Sequence, residues 1–229
     1  MKLIPPWLQR PFERALSPLA SGLIASGIHP NTVTTLGFVV VALSAVSFGM
    51  GYPRAGGFFL LMSGALDVLD GKVARGGGSM SSFGAFYDST LDRVGDGAVF
   101  SGIGLFFMTG GLSQDLAVWG VAASMVALSA SLIVSYTRAR AEGLDLDCKV
   151  GMAQRAERIV GIGVPCLFFG AGPSGLMLLG IVSVLGALSA LTVVQRIYHV
   201  YRLTRAVAVD KPASKTVGAL VDVEERQNS

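Results

Sequence analysis

Residues 55–75 read AGGFFLLMSGALDVLDGKVAR, and residues 84–109 read GAFYDSTLDRVGDGAVFSGIGLFFMT. Each stretch is long enough to cross a bilayer as a helix, which needs about 20 predominantly apolar residues. Together, however, they carry five aspartates. A charged side chain at the middle of a membrane costs about 2.5 to 3.5 kcal/mol on insertion scales. We therefore expect these aspartates to serve a function.

The composition of the whole chain indicates a membrane protein. Of its 229 residues, 52% are hydrophobic and 14% are charged, and the mean hydropathy is +0.60. Soluble domains carry about 25% charged residues. A disordered chain would be much less hydrophobic. A disulfide scaffold would need more cysteines than Cys148 and Cys166.

Apolar stretches along the chain predict an all-α integral membrane fold with six transmembrane helices. The predicted spans are about 31–50, 55–75, 84–109, 116–136, 154–171 and 176–196. The fifth is long enough only if its helix begins in the charged segment near Gln154.

Residues 11–24, ahead of the first span, predict an amphipathic helix that lies in the membrane interface. Glu13 and Arg14 occupy its polar face. Its apolar face consists of Phe12, Ala15, Leu16, Leu19 and Leu23.

The basic residues predict the orientation of the chain. With six spans, all of the 18 lysines and arginines except Arg54 fall on one side. The positive-inside rule assigns that side to the cytoplasm. We therefore expect a multi-pass protein of the cell membrane, with residues 1–205 as one membrane domain. The polar residues 206–229 are expected to form a loose cytoplasmic tail.

The spacing of the aspartates indicates a shared site. Asp67 and Asp70 are three residues apart, and Asp88, Asp92 and Asp96 follow at intervals of four, so each set lies on one helical face. The short GGGSMSS connection predicts that the two helices are antiparallel and adjacent. Converging carboxylates suit hard cations such as Mg²⁺ or Mn²⁺. Hydrogen bonds between helices, a proton relay and an ion pathway are the alternatives.

The same residues carry a family resemblance. The chain has Asp67, two residues, Asp70-Gly71, two residues, Ala74-Arg75, eight residues, Gly84, three residues, Asp88, three residues and Asp92. This pattern resembles the signature of the CDP-alcohol phosphotransferases. Members transfer a phosphatidyl-type group from a CDP-linked lipid to an alcohol and release CMP. Asp96 lies outside the signature, and a hydrogen bond within the bundle is its expected role.

The resemblance implies the residues of the donor site and the metal site. Two divalent ions, Mg²⁺ or Mn²⁺, would be held by Asp67, Asp70, Asp88 and Asp92, with Asp92 also the base that takes the acceptor proton. The implied contacts to the CDP-linked lipid are Asn31, Thr32, Val33, Thr34, Asp67, Gly71, Ala74, Arg75, Ser81 and Gly84. Capping of the first span by Asn31, helix packing by Gly71 and Ala74, and a merely solvated Ser81 remain alternatives.

Three arginines are candidate ligands of the acceptor. Arg138, Arg155 and Arg196 lie near the cytoplasmic ends of the last three spans and suit a phosphorylated acceptor, or they only enforce the topology. The stretches SYTRARAE and GMAQRAER resemble phosphatidylinositol phosphate synthases of actinobacteria and their archaeal counterparts. This resemblance implies inositol phosphate as acceptor, with glycerol 3-phosphate as the main rival.

Other partners follow from the same interpretation. The family implies a homodimer in the lipid bilayer, and no nucleic-acid partner is expected.

Two other classes of function are a carboxylate-based transporter and a non-catalytic membrane scaffold. The transporter would need broken-helix pairs in matching halves, which the sequence lacks. The scaffold leaves the aspartates unexplained.

Overall fold

A computed structural model describes residues 6–148, 150–151 and 154–209, with side chains from residue 11 to residue 205 in those ranges. The described chain is helical and contains no strand. Its seven long helices are α1 (Pro6–Ala25), α2 (Pro30–Gly49), α3 (Pro53–Gly76), α4 (Ser82–Phe106), α5 (Gln114–Glu142), α6 (Arg155–Phe169) and α7 (Leu176–Val209). A π turn at Phe107–Gly111 follows α4, and a 3₁₀ turn at Pro173–Gly175 precedes α7.

Each predicted span corresponds to one of the helices α2 to α7, so the all-helical class is confirmed. By length and composition alone, three segments could cross a membrane, namely Pro30–Gly49, Gln114–Glu142 and Pro173–Arg205. Helices α3 and α4 are continuous, but neither is among these three segments, and the apolar run of each contains aspartates. Helix α6 has 15 residues, about 22 Å at 1.5 Å per residue, which is short of a core of about 30 Å. The count of six spans therefore stays a prediction.

Helix α1 is longer than expected and divides its apolar face between two environments. Leu16 and Leu23 pack in a cluster with residues of α2 and α3. Phe12 and Leu19 are 47% and 58% exposed and point away from the protein. Lys72 Nζ also donates to Ser17 Oγ at 3.0 Å, which ties α1 to α3. The location of α1 in the interface stays a prediction.

Helix α2 packs against both aspartate-bearing helices, which face each other across a gap. It packs against both α3 and α4, whereas α3 and α4, both fully described, make no close backbone contact with each other. The expectation that α3 and α4 are adjacent is therefore wrong. The connection at residues 77–81 is long enough to bridge the gap, because an extended chain covers about 3.3 to 3.6 Å per residue. The gap leaves room for a site between the aspartates.

Helix α6 covers the other side of α3. A Cβ on Gly57 would lie 2.8 Å from Gly163 O, so α3 and α6 are in direct backbone contact. Helices α5 and α7 pack on each other and complete the bundle. Helix α7 continues to Val209, four residues into the predicted tail, and the rest of that tail lies outside the described residues.

Candidate active site

A cavity of about 130 Å³ lies where α2 begins, α3 ends and α4 begins. The connection between α3 and α4 closes one side of it. Its lining residues are Pro30, Asn31, Thr34, Asp70, Gly71, Ala74, Ser79, Met80, Ser81, Gly84, Ala85 and Asp88. Six of the ten predicted lipid-binding residues are in this set. Segments far apart in sequence therefore meet around one cavity.

The other four predicted lipid-binding residues do not line the cavity. Thr32 is exposed and lines an outer groove along α2. Val33 is buried and packs in the cluster of α1, α2 and α3. Arg75 Nη1 would lie 3.2 Å from a Cβ on Gly71, so its guanidinium borders the cavity. Asp67 points toward α6, as described below.

Polar side chains converge at Gly84 on one wall of the cavity. A Cβ on Gly84 would lie 3.1 Å from Ser81 Oγ and 3.3 Å from Asn31 Oδ1. Gly84 N also donates to Ser81 Oγ at 3.0 Å, which makes Ser81 the N-cap of α4. The absence of a side chain at Gly84 therefore keeps this wall open.

The alternative role for Asn31 as a helix cap is wrong. His29 is the N-cap of α2, and its Nδ1 accepts a hydrogen bond from Asn31 N at 3.2 Å. Pro30 occupies the first helical position, where the lack of an N–H costs nothing. The side chain of Asn31 is thus left to line the cavity.

Asp70 and Asp88 face the cavity from α3 and α4. Asp70 is 7% exposed, and its Oδ2 is buried with no hydrogen-bond partner in the described part of the chain. A buried carboxylate oxygen without a donor is costly. It is therefore suited to receive a cation.

Asp67 and Asp92 lie on the side of the gap that faces α6. Both contact the guanidinium of Arg155, with a distance of 2.7 Å from Arg155 Nη1 to Asp92 Oδ1. The structure therefore divides the four signature aspartates into two pairs, which we call the cavity pair (Asp70 and Asp88) and the arginine pair (Asp67 and Asp92). As arranged, no three described His, Cys, Asp or Glu residues form a group that could hold a metal ion.

Asp96 forms a buried polar network with α5 and α6. It accepts a hydrogen bond from Ser131 Oγ at 3.0 Å and pairs with Arg158 Nη2. This confirms the expected hydrogen bond within the bundle. Arg158, which is 3% exposed, was not singled out from the sequence. Its position three residues after Arg155, on the same helical face, was the available signal.

The three predicted acceptor arginines have different surroundings. Arg138 is exposed and pairs with Glu142 one turn later, at 2.9 Å. Arg196 is 4% exposed. It donates from Nε to Val150 O at 2.9 Å and from Nη1 to Val134 O. Of the three, Arg155 lies among the aspartates. A common phosphate pocket for all three stays a prediction.

The sequence model of the CDP-alcohol phosphatidyltransferases matches residues 27–198. That match covers helices α2 to α6 and most of α7, so the chain belongs to this family of transferases, as the aspartate signature indicated. Among curated proteins, it is 43% identical over 155 residues to a phosphatidylinositol phosphate synthase of Streptomyces avermitilis, a match that covers 65% of this chain and 60% of that protein. It is also 38% identical over 148 residues to an archaetidylinositol phosphate synthase of Methanothermobacter thermautotrophicus, covering 65% and 69% of the two chains.

Solved structures agree with this assignment. The fold matches a crystal structure of the Mycobacterium tuberculosis phosphatidylinositol phosphate synthase with CDP-DAG bound. The TM-score is 0.70 and the identity is 34%, over 81% of this chain and 92% of that chain. A second structure of the mycobacterial enzyme, in complex with manganese and citrate, matches with the same TM-score and identity over 80% of this chain and 88% of that chain.

Proposed function

We propose that the protein is a phosphatidylinositol phosphate synthase of the cell membrane. It transfers the phosphatidyl group of a CDP-linked lipid such as CDP-diacylglycerol to a hydroxyl of inositol phosphate. The hydroxyl oxygen forms a bond to the β-phosphorus, the bond between that phosphorus and the bridging oxygen breaks, and CMP leaves. The names of its relatives support inositol phosphate as the acceptor. The cavity beside the signature aspartates is the observation that carries the proposal.

The cavity is the proposed site of the CDP group. Asn31, Thr34 and Ser81 supply polar contacts, while Gly71 and Gly84 let a nucleotide approach the helices closely. An outer groove of about 640 Å³ shares Asn31 with the cavity and is lined by apolar residues such as Leu36, Val39 and Phe83. This arrangement suits a ligand with a polar head and a hydrocarbon tail.

The types of residue present suit a divalent metal, although in the described arrangement no three of them are gathered as ligands of one ion. Four carboxylates form an all-oxygen donor set of the kind that Mg²⁺ and Mn²⁺ prefer. Asp70 Oδ2 is buried without a hydrogen-bond donor among the described residues, and manganese is present in a relative's structure. We propose that Asp67, Asp70, Asp88 and Asp92 would hold two ions. Bound there, the ions would neutralise charge on the pyrophosphate and on the departing CMP.

Asp92 is the proposed base. It belongs to α4, one turn beyond Asp88, and contacts Arg155 at the start of α6. From there its carboxylate can take the proton of the attacking hydroxyl. Arg155 lies within contact of Asp92, so it can hold an anionic acceptor next to the base. Arg138 and Arg196 are proposed to extend that acceptor site.

The proposed setting is a six-span homodimer with the site on the cytoplasmic side. The apolar helices and the family support a membrane location. The ion pairs of Arg155 and Arg158 with the aspartates lie near the end of the bundle where the basic residues are concentrated. This is expected for a cytoplasmic face.

An acceptor panel tests the proposal. The purified full chain is given CDP-diacylglycerol, Mg²⁺ and one of four acceptors, namely inositol phosphate, free inositol, glycerol 3-phosphate or serine, and CMP is measured. We expect release with inositol phosphate. Release only with glycerol 3-phosphate would show that the proposed acceptor is wrong and the proposed type of reaction is right. No release with any acceptor would contradict both.

Asp92→Asn provides the residue-level test. The amide cannot take a proton or ligate a metal as a carboxylate does, so CMP release is expected to fall by about 10³-fold while expression is retained. Asp145→Asn is the matched control, because Asp145 is exposed in the connection after α5. Its positive φ is one that asparagine tolerates.

A further inference from the structure

The guanidinium of Arg155 fills the space between the arginine pair. Arg155 is the first residue of α6, and its Nη1 contacts both Asp67 Oδ2 and Asp92 Oδ1. These are oxygens from two helices whose backbones are not in close contact. One nitrogen therefore bridges the gap between α3 and α4 and occupies two of the carboxylates that would hold a metal ion.

Arg155 and a bridging ion cannot share these oxygens. Mg²⁺ binds carboxylate oxygens at about 2.0 to 2.1 Å and Mn²⁺ uses similar oxygen ligands. An ion held by Asp67 Oδ2 and Asp92 Oδ1 would occupy the space of Arg155 Nη1. The two cations would also repel each other strongly in a partly buried site. Binding of the ion therefore requires Arg155 to leave.

The backbone of α6 is held in place, so the movement must come from the side chain. Gly57 and Gly163 bring α3 and α6 into backbone contact. A Cβ on Gly64 would lie 3.0 Å from Ile159, one turn beyond Arg155. A sliding helix would break this packing, whereas rotation of the long Arg155 side chain would not.

Asp96 offers the displaced guanidinium a second partner. Its Oδ1 lies 3.7 Å from Arg155 Nε, which has no hydrogen-bond partner within the described chain. Asp96 lies outside the signature, and Ser131 and Arg158 hold it in place. A small rotation would bring Arg155 onto Asp96 while clearing the arginine pair.

We infer that Arg155 is an internal counter-cation that competes with divalent metal ions for Asp67 and Asp92. This inference rests on the metal site of the proposed function. Without metal, the arginine neutralises the two carboxylates and closes the site. When metal binds, Arg155 moves to Asp96, and its outer nitrogens become available to an anionic acceptor. Metal binding and acceptor binding are thereby coupled, and each favours the other.

Metal affinity without any substrate tests the competition. Free Mn²⁺ is titrated against the full chain in detergent and measured by electron paramagnetic resonance, for wild type, Arg155→Gln and Arg140→Gln. Removal of the competitor is expected to tighten Mn²⁺ binding by about tenfold or more. Arg140 is exposed at the end of α5. Arg140→Gln removes the same charge as Arg155→Gln, but it should bind Mn²⁺ as wild type does. Unchanged or weaker binding in Arg155→Gln would overturn the inference.

A further variant separates failure of the inference from failure of the metal site. Asp88→Asn should weaken Mn²⁺ binding in the wild-type background. If wild type binds no Mn²⁺, or if Asp88→Asn binds it equally well, the proposed metal site is wrong and the inference falls with it. If Asp88→Asn weakens binding but Arg155→Gln does not tighten it, the metal site stands and the competition is wrong.

The wild-type protein provides a test if Arg155→Gln does not fold. Structures determined with and without Mn²⁺, and without lipid, report the distance from Arg155 Nη1 to Asp92 Oδ1. The distance is 2.7 Å in the present structure, and it should increase beyond the roughly 4 Å of an ion pair when Mn²⁺ is bound. A bound ion with Arg155 still on both Asp67 and Asp92 would overturn the inference.

Discussion

The cavity pair and the arginine pair belong to one signature but have opposite surroundings. Asp70 and Asp88 border an open cavity, and Asp70 Oδ2 has no donor in the described residues. The space between Asp67 and Asp92 is filled by a protein cation. The same two helices thus present a preformed side toward the proposed nucleotide-binding residues and a closed side toward the proposed acceptor arginines. Under the proposed function, the donor lipid meets a ready site, whereas the acceptor side must be opened.

The largest expected effect is that of a substitution in the cavity pair. Asp70→Asn removes the charge of the buried carboxylate that faces the cavity, and metal stabilisation of the reacting phosphates is worth several kcal/mol. We expect CMP release to fall by about 10³-fold. Release above about a tenth of the wild-type rate would show that the cavity pair is not a metal site. Asp145→Asn is again the control.

A substitution in the Asp96 network, which lies beside the arginine pair, is expected to lower the stability of the protein. Asp96→Asn removes a carboxylate partner from the buried Arg158, and breaking a buried ion pair costs about 3 kcal/mol or more. The melting temperature in detergent should fall by about 6 to 12 °C. The exposed Asp145→Asn should leave it unchanged. Equal melting temperatures of Asp96→Asn and wild type would contradict the role of this network.

Gly84→Ala tests whether the cavity side binds the lipid and not the acceptor. The new methyl would crowd Ser81 Oγ and Asn31 Oδ1 in the cavity. We expect the KM for CDP-diacylglycerol to rise by roughly tenfold, equal to about 1.4 kcal/mol, with little change in the KM for the acceptor. Gly97→Ala is matched to it, because Gly97 lies in the same helix and a Cβ there would have no neighbouring atom within 4 Å. Identical kinetics for both variants would rule out lipid binding at Gly84.

The smallest effect is expected at Ser131. Ser131→Ala removes one hydrogen bond to Asp96, worth about 1 kcal/mol, and leaves the ion pair with Arg158 in place. The melting temperature should fall by about 2 to 4 °C. A loss as large as that of Asp96→Asn would mean that Ser131, rather than Arg158, is the main support of the network.

The helices could be predicted from the sequence because most of them contain a long, mainly apolar stretch, and the fifth was expected to begin in the charged segment near Gln154. The aspartate signature likewise indicated the family, and the interval of four after Asp92 placed Asp96 within the bundle. These are local patterns, which helical geometry converts directly into faces and neighbours.

The arrangement of the helices could not be predicted in the same way. The short connection suggested that α3 and α4 are adjacent, but a five-residue connection (77–81) also permits a gap between them with α2 packed on both. Arg155 is separated from Asp67 by 88 residues, so no local pattern reports their contact. The capping of α2 by His29 was also missed, because Asn31 is the more usual capping residue type.

The reaction itself is the central claim, and product analysis tests it most directly. The wild-type chain and Asp88→Asn are incubated with CDP-diacylglycerol, inositol phosphate and Mg²⁺, and the lipid products are identified by mass spectrometry. We expect wild type to form phosphatidylinositol phosphate with one CMP for each lipid, and Asp88→Asn to form almost none. A wild-type protein that leaves CDP-diacylglycerol unchanged, or that forms the product equally well without Asp88, would contradict the account.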